Sequence, residues 1–314
     1  MALPDLSPGL KQTIPMNSQT ESILFIGNGE WSRKVSNILV ASESRLKPVV
    51  ISARNFLNTG KQALPEGIIL EDIKLIWITT FPDMQLRILE KLQNLNSKII
   101  LEKPIALTLE DIKQLHSIMP KVKSSIYLSQ PWTFSKLWES ASKQIFQNHE
   151  DLEIDALRVG ELQRERISPS LDWLPHELYL LASLVQSREL GNESLKLLSS
   201  KGSSKEIRLD YQVGENMRVN LQAGKSASRR AYWRISVADQ IRLEVDFDSK
   251  RITKREGVRE ITEEFDSDNP IINMLESYRA CSSDVNWDLI FRLYSAAILA
   301  TGEDRWNSPQ GTTV

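Results

Sequence analysis

The feature that most constrains the fold is an alternation of short apolar runs and amphipathic segments between residues 22 and 128. The runs in SILFIG, DIKLIWITT and SKIILEKP are continuously apolar and have the length of buried strands. The segments between them, such as MQLRILEKLQNL, carry apolar residues at helical spacing. Continuous apolar strands that alternate with helices indicate a parallel sheet covered on both faces, the doubly wound α/β class.

The pattern changes after residue 124. Helical segments around WESASKQIF and PHELYLLASL are followed by strand-like segments with turn signals between them, from SLKLLSS to KRITKREG. Consecutive strands joined by short turns favour an antiparallel sheet, so we predict an α+β domain with an open, mostly antiparallel sheet over residues 125–314. In this interpretation residues 22–124 form the first domain and residues 1–21 a flexible lead.

Composition excludes several classes of function. With 39 basic and 41 acidic residues the net charge is −2, which gives no global attraction to nucleic acid or to an anionic membrane. No apolar run approaches the ~18 residues of a membrane span, and residues 1–21 lack the pattern of a signal peptide. Cys281 is the only cysteine and the three histidines are scattered, so we expect no intramolecular disulfide and no metal site. We therefore expect a cytoplasmic protein.

A glycine-containing loop follows the first predicted strand. In FIGNGEWS, Gly27 would allow a tight turn and Gly29 the close approach of backbone to a pyrophosphate, while Ser32 stands where a third glycine is usual. The N–H groups that begin the next helix would face the phosphates. A tight turn without a ligand is the alternative. The position after the first strand favours a Rossmann dinucleotide-binding domain. The residues predicted at the cofactor are Gly27, Asn28, Gly29, Glu30 and Trp31.

The end of the second predicted strand indicates which dinucleotide is bound. NAD sites usually have Asp or Glu here, which hydrogen-bonds to ribose hydroxyls. This chain has Ile51-Ser52-Ala53-Arg54 instead. Ser52 can donate to a 2′-phosphate and Arg54 can clamp it through two nitrogens, so we predict NADP(H) in preference to NAD(H). A solvated surface arginine is the alternative.

Three titratable residues are candidates for the reacting centre. Lys103 closes a predicted strand in ILEKPIALTLED, and ligands of open parallel sheets lie outside the carboxyl ends of the strands. Pro104 ends that strand and fixes the direction of Lys103. In SLDWLPHELYLL, Asp172 is placed to cap a helix, with Pro175 in its first turn and His176 as the first titratable group inward. A histidine can give or take the proton that accompanies hydride transfer.

Four segments in this order resemble the Gfo/Idh/MocA oxidoreductase family: FIGNGEWS, IWITTFPDMQ, ILEKPIALTLED and DWLPHELYLL. The family pairs a Rossmann domain with a second domain built on an open antiparallel sheet. The resemblance implies that Lys103 lines the active site. It also matches Asp172 and His176 to an Asp-x-x-x-His motif, in which the aspartate binds substrate and the histidine assists as acid or base. Residues placed beside the cofactor include Thr79, Thr80, Glu102 and Lys103. A homodimer or homotetramer is a further implication.

The chain departs from the family pattern at four places. Ser32 replaces a glycine, and the segment between the second strand and KLIWITT is short. Gln85 stands where a histidine is common, and SPSL replaces a glycine pair before the Asp-x-x-x-His motif. The first two departures bear on cofactor affinity and the latter two on a sugar-like substrate pocket. Glu102 is interpreted as a structural partner of nearby backbone or of Lys103, in preference to the catalytic acid.

Four further residues are candidates for substrate contacts. Arg164 and Arg166 alternate along a predicted strand and could meet a carboxylate or phosphate, and a solvated strand edge fits them equally. Trp132 and Trp173 could stack on a sugar ring or a flat chromophore, or they could belong to the core. His116 and His149 lie in polar helical contexts and are interpreted as surface residues.

The main hypothesis is an NADP-dependent oxidoreductase that moves a hydride between nicotinamide and a carbonyl, secondary alcohol or imine carbon. The substrate would be a small polar, sugar-like molecule, with Lys103 and His176 in proton transfer. One alternative is a non-catalytic NADP-binding regulator or scaffold with the same fold. The other is a redox-neutral enzyme that holds its nicotinamide tightly.

Overall fold

The computed structural model describes residues 21–42, 44–147, 151–161, 167–203, 205–280 and 285–302. Within these ranges the first sheet contains five parallel strands in the order β2-β1-β3-β4-β5. The strands are β1 (Glu21–Ile26), β2 (Leu46–Ile51), β3 (Leu75–Ile78), β4 (Lys98–Leu101) and β5 (Ser125–Leu128). This is the doubly wound arrangement predicted from the apolar runs.

Helices connect these strands. They are α1 (Glu30–Ala41), α2 (Ala53–Thr59), α3 (Pro82–Leu92) and α4 (Leu109–Ile118). Thr108 caps α4, because its side chain accepts from the Asp111 N–H while the Asp111 carboxylate accepts from the Thr108 N–H. The connection after β2 is abbreviated, since α2 has 7 residues and no strand precedes β3 in the described residues 52–74.

The second sheet contains eight strands among the described residues, in the order β13-β12-β11-β10-β6-β9-β8-β7. They are β6 (Leu152–Gly160), β7 (Leu195–Gly202), β8 (Glu206–Val213), β9 (Met217–Lys225), β10 (Arg230–Val237), β11 (Gln240–Asp246), β12 (Arg251–Glu256) and β13 (Arg259–Glu264). Neighbours are antiparallel except β6 and β9, which are parallel. This agrees with the predicted mostly antiparallel sheet. The charged segment REITEE of β13 was not predicted as a strand, because every one of its residues is exposed.

Four helices belong to the later part of the chain: α5 (Lys136–Phe146), α6 (Pro169–Ser187), α7 (Pro270–Ala280) and α8 (Trp287–Thr301). Helix α6 is buried between the second sheet and α8, where the hydroxyl oxygens of Tyr179 and Tyr294 lie 2.8 Å apart. No helix among the described residues combines the length and the apolar character needed to cross a membrane.

Helix α7 returns to the first sheet. Its buried residues Met274, Leu275 and Tyr278 share a core cluster with Phe25 and Trp77 of the parallel strands. The contact is reinforced at its edge, since an ion pair of 2.9 Å joins Arg279 to Glu21. The first sheet therefore includes β5 and packs against α7, and both of these elements lie beyond residue 124.

Candidate active site

The loop after β1 can be formed only with glycine at position 27. Gly27 has φ of 137°, and a Cβ on it would lie 2.4 Å from the Thr79 carbonyl oxygen. Its N–H donates to the Ile51 carbonyl (2.8 Å), and the Thr79 hydroxyl donates to the Gly27 carbonyl (3.1 Å). The ends of β1, β2 and β3 are therefore joined at this one residue.

Gly29 leaves open space in front of the first helix. It precedes α1 as its N-terminal cap residue, and no atom lies within 4 Å of the position of a Cβ on it. Ser32 is fully buried, and its hydroxyl donates to the Gly29 carbonyl (3.0 Å), so a serine serves at the position of the usual third glycine. An exposed backbone and free helical N–H groups suit a pyrophosphate. Asn28 and Glu30 are exposed beside this opening.

The end of β2 carries no carboxylate. Ser52 caps α2, with its hydroxyl oxygen accepting from the Asn55 N–H at 3.4 Å. Arg54 is exposed in the first turn of the same helix. A hydroxyl and a guanidinium thus occupy the position where ribose-binding carboxylates are usual.

Lys103 lies at the carboxyl end of β4 and contacts the second part of the chain. Its Nζ donates to the Asp172 carbonyl and pairs with Asp172 Oδ1, both at 2.8 Å. The Lys103 and Asp172 side chains are 12% and 2% exposed. The peptide bond between Lys103 and Pro104 is cis. The contact fixes an ammonium group between β4 and α6.

The predicted cap of α6 was wrong. The helix begins at Pro169, and Ser168 caps it, because its hydroxyl oxygen accepts from the Leu171 N–H. The pair Ser168-Pro169 supplies both favoured residues of a helix start, one at the cap and one in the first turn. Asp172 is instead the fourth residue of the helix, which frees its carboxylate for Lys103. Pro175 lies inside the helix and not in its first turn.

His176 is the third titratable candidate. It is half-buried and lies four residues after Asp172, so both side chains lie on the same face of α6, one turn apart. His116, in contrast, is exposed on α4, with its ring 5.7 Å from that of Phe291. His149 and Cys281 lie outside the described residues.

Glu102 has a structural role that involves two tryptophans. The residue is 3% exposed, and its Oε2 accepts from Trp31 Nε1 (2.8 Å) and Trp77 Nε1 (3.1 Å). The predicted structural partners of Glu102 were nearby backbone or Lys103, whereas these two contacts are with indole N–H groups. The sequence did not indicate that Trp31 joins the glycine loop to the strand that carries Lys103. Proximity of Trp31 and Glu102 to a cofactor stays a prediction.

Gln85 links the loops that follow β3 and β4. Its Nε2 donates to the carbonyl oxygens of Glu102 (2.8 Å), Thr80 (3.0 Å) and Pro104 (3.3 Å). An amide at this position can therefore support the backbone around Lys103. This role was not predicted. From the sequence, Gln85, which stands where a histidine is common, was related only to the substrate pocket.

The four residues predicted to contact substrate differ in where they lie. Trp173 is buried beside the site, with Lys103 Nζ 5.9 Å from its ring centroid. Trp132 packs edge-on against Phe247, with centroids 5.3 Å apart, so its described contact is with the core. Arg164 and Arg166 lie outside the described residues.

Two buried tyrosines lie behind the candidate site. Burial raises the pKa of the Tyr179 hydroxyl well above its ordinary value, and it raises the pKa of Tyr294 as well. Both hydroxyls therefore stay neutral near neutral pH. The titratable candidates on this side of α6 are His176 and Asp172, together with Lys103.

Comparisons with known proteins rest on structure. No family profile matches the sequence, and no curated protein matches it. The chain is similar in structure to UDP-N-acetylglucosamine 3-dehydrogenase from Acidithiobacillus ferrooxidans (15% identity, TM-score 0.68), with 90% of this chain and 98% of that chain covered.

Two further structures are similar over nearly their whole length. A Gfo/Idh/MocA family oxidoreductase from Vibrio cholerae has 14% identity and a TM-score of 0.62, covering 91% of this chain and 97% of that chain. Scyllo-inositol dehydrogenase from Lactobacillus casei, with bound NAD(H) and scyllo-inositol, has 13% identity and a TM-score of 0.60, covering 91% and 96%. The chain therefore has the two-domain fold of Gfo/Idh/MocA oxidoreductases.

Proposed function

We propose that the protein is an NADP-dependent oxidoreductase of the Gfo/Idh/MocA family. It transfers a hydride between nicotinamide and a carbonyl, secondary alcohol or imine carbon of a small polar, sugar-like substrate. The observation that carries this proposal is the position of Lys103. Its ammonium is held by Asp172 at the carboxyl end of a parallel strand, in the sheet whose first loop has an open glycine backbone.

The described residues fit a nicotinamide dinucleotide. The open backbone at Gly29 and the N-terminus of α1 would hold the pyrophosphate, and Ser52 and Arg54 would hold a 2′-phosphate. When bound, the nicotinamide supplies the carbon that gives or accepts the hydride. The similar dehydrogenase from L. casei holds NAD(H), so a nicotinamide cofactor suits the fold, and the choice of NADP rests on Ser52 and Arg54.

The chain itself supplies proton transfer and orientation. Lys103 is a charged donor that Asp172 holds through two contacts, so it can bond to the substrate oxygen or nitrogen on the reacting carbon. His176, one turn further along α6, can carry the proton to or from that atom. Asp172 orients Lys103 and accepts from a substrate hydroxyl.

A substitution at Lys103 tests the catalytic proposal. Lys103→Met should lower turnover by about 10²–10⁴-fold, the range for loss of a general acid or base, with NADPH affinity nearly unchanged. Lys113→Met is a matched control, because Lys113 is 75% exposed on α4 and pairs only weakly with Glu110 at 3.7 Å. Unchanged turnover in Lys103→Met would remove Lys103 from the mechanism. Binding of NADPH without turnover of any sugar, polyol or imine would favour the scaffold alternative.

A titration tests the cofactor proposal. NADPH and NADH are added separately, and energy transfer from tryptophan to the reduced nicotinamide is followed. NADPH should bind more tightly, and Arg54→Ala should weaken NADPH by roughly tenfold or more while leaving NADH unchanged, since a charge-assisted hydrogen bond contributes about 1.5–3 kcal/mol. The exposed Arg87→Ala on α3 is the control. Equal binding of the two cofactors would contradict the preference.

A further inference from the structure

Lys103 lies just outside the sheet. Strand β4 ends at Leu101, and the N–H of the next residue, Glu102, donates to the Ile78 carbonyl at 3.2 Å. Lys103 follows in a loop, where the pairing of strands does not fix the backbone. The buried polar groups of such a loop need partners from elsewhere in the fold. The groups that bind this backbone therefore also set the position of the Lys103 ammonium.

Gln85 binds the backbone on both sides of Lys103. Its side chain leaves α3 and is 2% exposed. Nε2 donates to the carbonyl oxygens of Glu102 (2.8 Å) and Pro104 (3.3 Å), which are the two neighbours of the lysine in the chain. It also donates to the Thr80 carbonyl (3.0 Å), in the loop after β3. One amide thus joins the loop that carries Lys103 to the neighbouring loop at the same edge of the sheet.

An amide is well suited to this contact. Its nitrogen carries two N–H donors, whereas a neutral imidazole has one and a carboxylate has none. The orientation of the Gln85 amide is fixed, because the reverse orientation would place Oε1 against three carbonyl oxygens. Oε1 itself is buried and has no hydrogen-bond partner among the described residues. Burying an acceptor without a partner lowers stability, so packing alone does not explain a glutamine here.

We propose that Gln85 is a positioning residue for Lys103. By holding the backbone before and after the lysine, it keeps the ammonium 2.8 Å from Asp172 Oδ1 and beside the reacting carbon of the substrate. Gln85 needs to touch neither substrate nor cofactor, since it acts through Lys103. The inference rests on the proposed function, in which Lys103 takes part in proton transfer. Misplacement of such a group by about 1 Å can lower a rate by about 10²-fold.

Gln85→Met tests the proposal, since it keeps the length of the side chain and removes both donors. We expect kcat to fall by about 10- to 100-fold, with the Kd of NADPH nearly unchanged. A second readout needs no turnover: the lysines are labelled with trace acetic anhydride, and each labelled peptide is measured by mass spectrometry. Lys103 is 12% exposed and paired with Asp172, and its labelling should rise severalfold in Gln85→Met as the loop is released.

Two controls separate positioning from general loosening. Lys98 is the internal control, because it lies on the same strand and its Nζ donates to two carbonyl oxygens at the end of α7. Loosening of the whole strand would raise the labelling of Lys98 as well, whereas loss of positioning raises only that of Lys103. Gln212→Met is the matched variant, because Gln212 Nε2 also donates to backbone carbonyls, at the turn between β8 and β9. It should change neither kcat nor the labelling of Lys103.

Gln85→His covers the case in which Gln85→Met does not fold. Its imidazole, neutral above the ordinary pKa of about 6.5, keeps one N–H donor, so kcat and labelling should shift in the same directions but by less. Native kcat and native labelling of Lys103 in a folded variant would overturn the proposal, as would equal rises for Lys98 and Lys103. If the native protein turns over no sugar, polyol or imine, the proposed function fails, and the labelling of Lys103 still decides whether Gln85 positions it.

Discussion

At the scale of single residues, Gly27 and Gly29 belong to one loop, but the fold requires glycine only at position 27. Gly27 is required by the fold, since a Cβ would collide with the Thr79 backbone and its φ is positive. Gly29 has no neighbour within 4 Å of a Cβ position and a φ of −72°. Any need for glycine there comes from a ligand and not from the fold.

We therefore expect the two alanine variants to separate stability from cofactor binding. Gly27→Ala should lower the free energy of unfolding by about 1–3 kcal/mol or more, the range for strained backbone. Gly29→Ala should leave thermal stability nearly unchanged and weaken NADPH binding severalfold. Thermal unfolding and the tryptophan-to-NADPH titration measure the two effects. Full NADPH affinity in Gly29→Ala would mean that no pyrophosphate approaches this residue.

The ion pair between Lys103 and Asp172 gives a second prediction at this scale. Removing one partner of a buried pair leaves the other charge uncompensated, so Asp172→Leu should cost about 3–5 kcal/mol of stability. Adding Lys103→Met to that variant should restore much of the stability but none of the turnover. Urea unfolding and activity assays on the four proteins form a double-mutant cycle. A double variant no more stable than Asp172→Leu would contradict the pairing.

At the scale of elements, β6 and α6 are joined by a buried charged network. Glu177 is fully buried, and its carboxylate accepts from Arg158 Nε and from the indole N–H of Trp233. This network lies one residue from His176 in the sequence of α6. It thereby fixes the register of the helix that carries both Asp172 and His176.

Glu177→Gln should destabilise the protein by about 3–5 kcal/mol, because Arg158 then becomes a buried charge without a counterion. The measurement is the free energy of unfolding in urea. Glu139→Gln is the control, since Glu139 pairs with Lys143 on the exposed side of α5 and should change stability by only about 0.5 kcal/mol. Equal effects of the two changes would contradict the structural importance of the network.

The ion pair between Glu21 of β1 and Arg279 of α7 predicts that stability depends on pH. A hydrogen bond from Arg279 lowers the pKa of Glu21 below its ordinary 4.5. The folded state therefore holds the proton less tightly than the unfolded state, so this contribution is present above pH 4.5 and is lost as the pH falls through the lowered pKa. The difference in Tm between the native protein and Glu21→Gln should be small at pH 7, since both side chains are partly exposed, and should vanish in acid. A difference in Tm that stays constant from pH 7 into acid would contradict this role of the ion pair between Arg279 and Glu21.

Several elements could be predicted from the sequence, and others could not. The parallel strands could be predicted because burial on both faces makes them continuously apolar. The start of α6 was misread because Asp172 is equally suitable as a cap until its partner Lys103 is known. Strand β13 carried no apolar pattern at all.

At the scale of the whole molecule, the two units are interleaved along the chain. The strands of the first sheet end at Leu128, but one face of that sheet is covered by α7, which begins at Pro270. The sequence of an amphipathic helix predicts that one face is buried, but it does not predict which sheet that face packs against. The meeting of Lys103 and Asp172, 69 residues apart, is likewise a product of the fold and not of either motif.

Removing α7 should therefore unfold the part of the protein that is built on the first sheet. A fragment of residues 1–147 would expose the sheet face that contains Phe25, Trp77 and Tyr127, and we expect it to aggregate or to bind a hydrophobic dye. A second fragment, in which residues 268–280 follow residue 147 through a glycine-serine linker, should be folded. Circular dichroism and size-exclusion chromatography distinguish these states. A folded, monomeric first fragment would show that α7 is dispensable.

The late position of α7 also has a consequence for synthesis on the ribosome. The parallel strands leave the exit tunnel first, yet α7 emerges about 150 residues later, roughly 8 to 30 s at ordinary rates of elongation. During that interval α1 covers part of this sheet face through Val35 and Leu39, but the aromatic part that α7 buries has no cover. Chaperones that bind apolar surfaces can therefore bind the growing chain during this time. Their site is buried once α7, with Tyr278, has been synthesised and packs on the sheet.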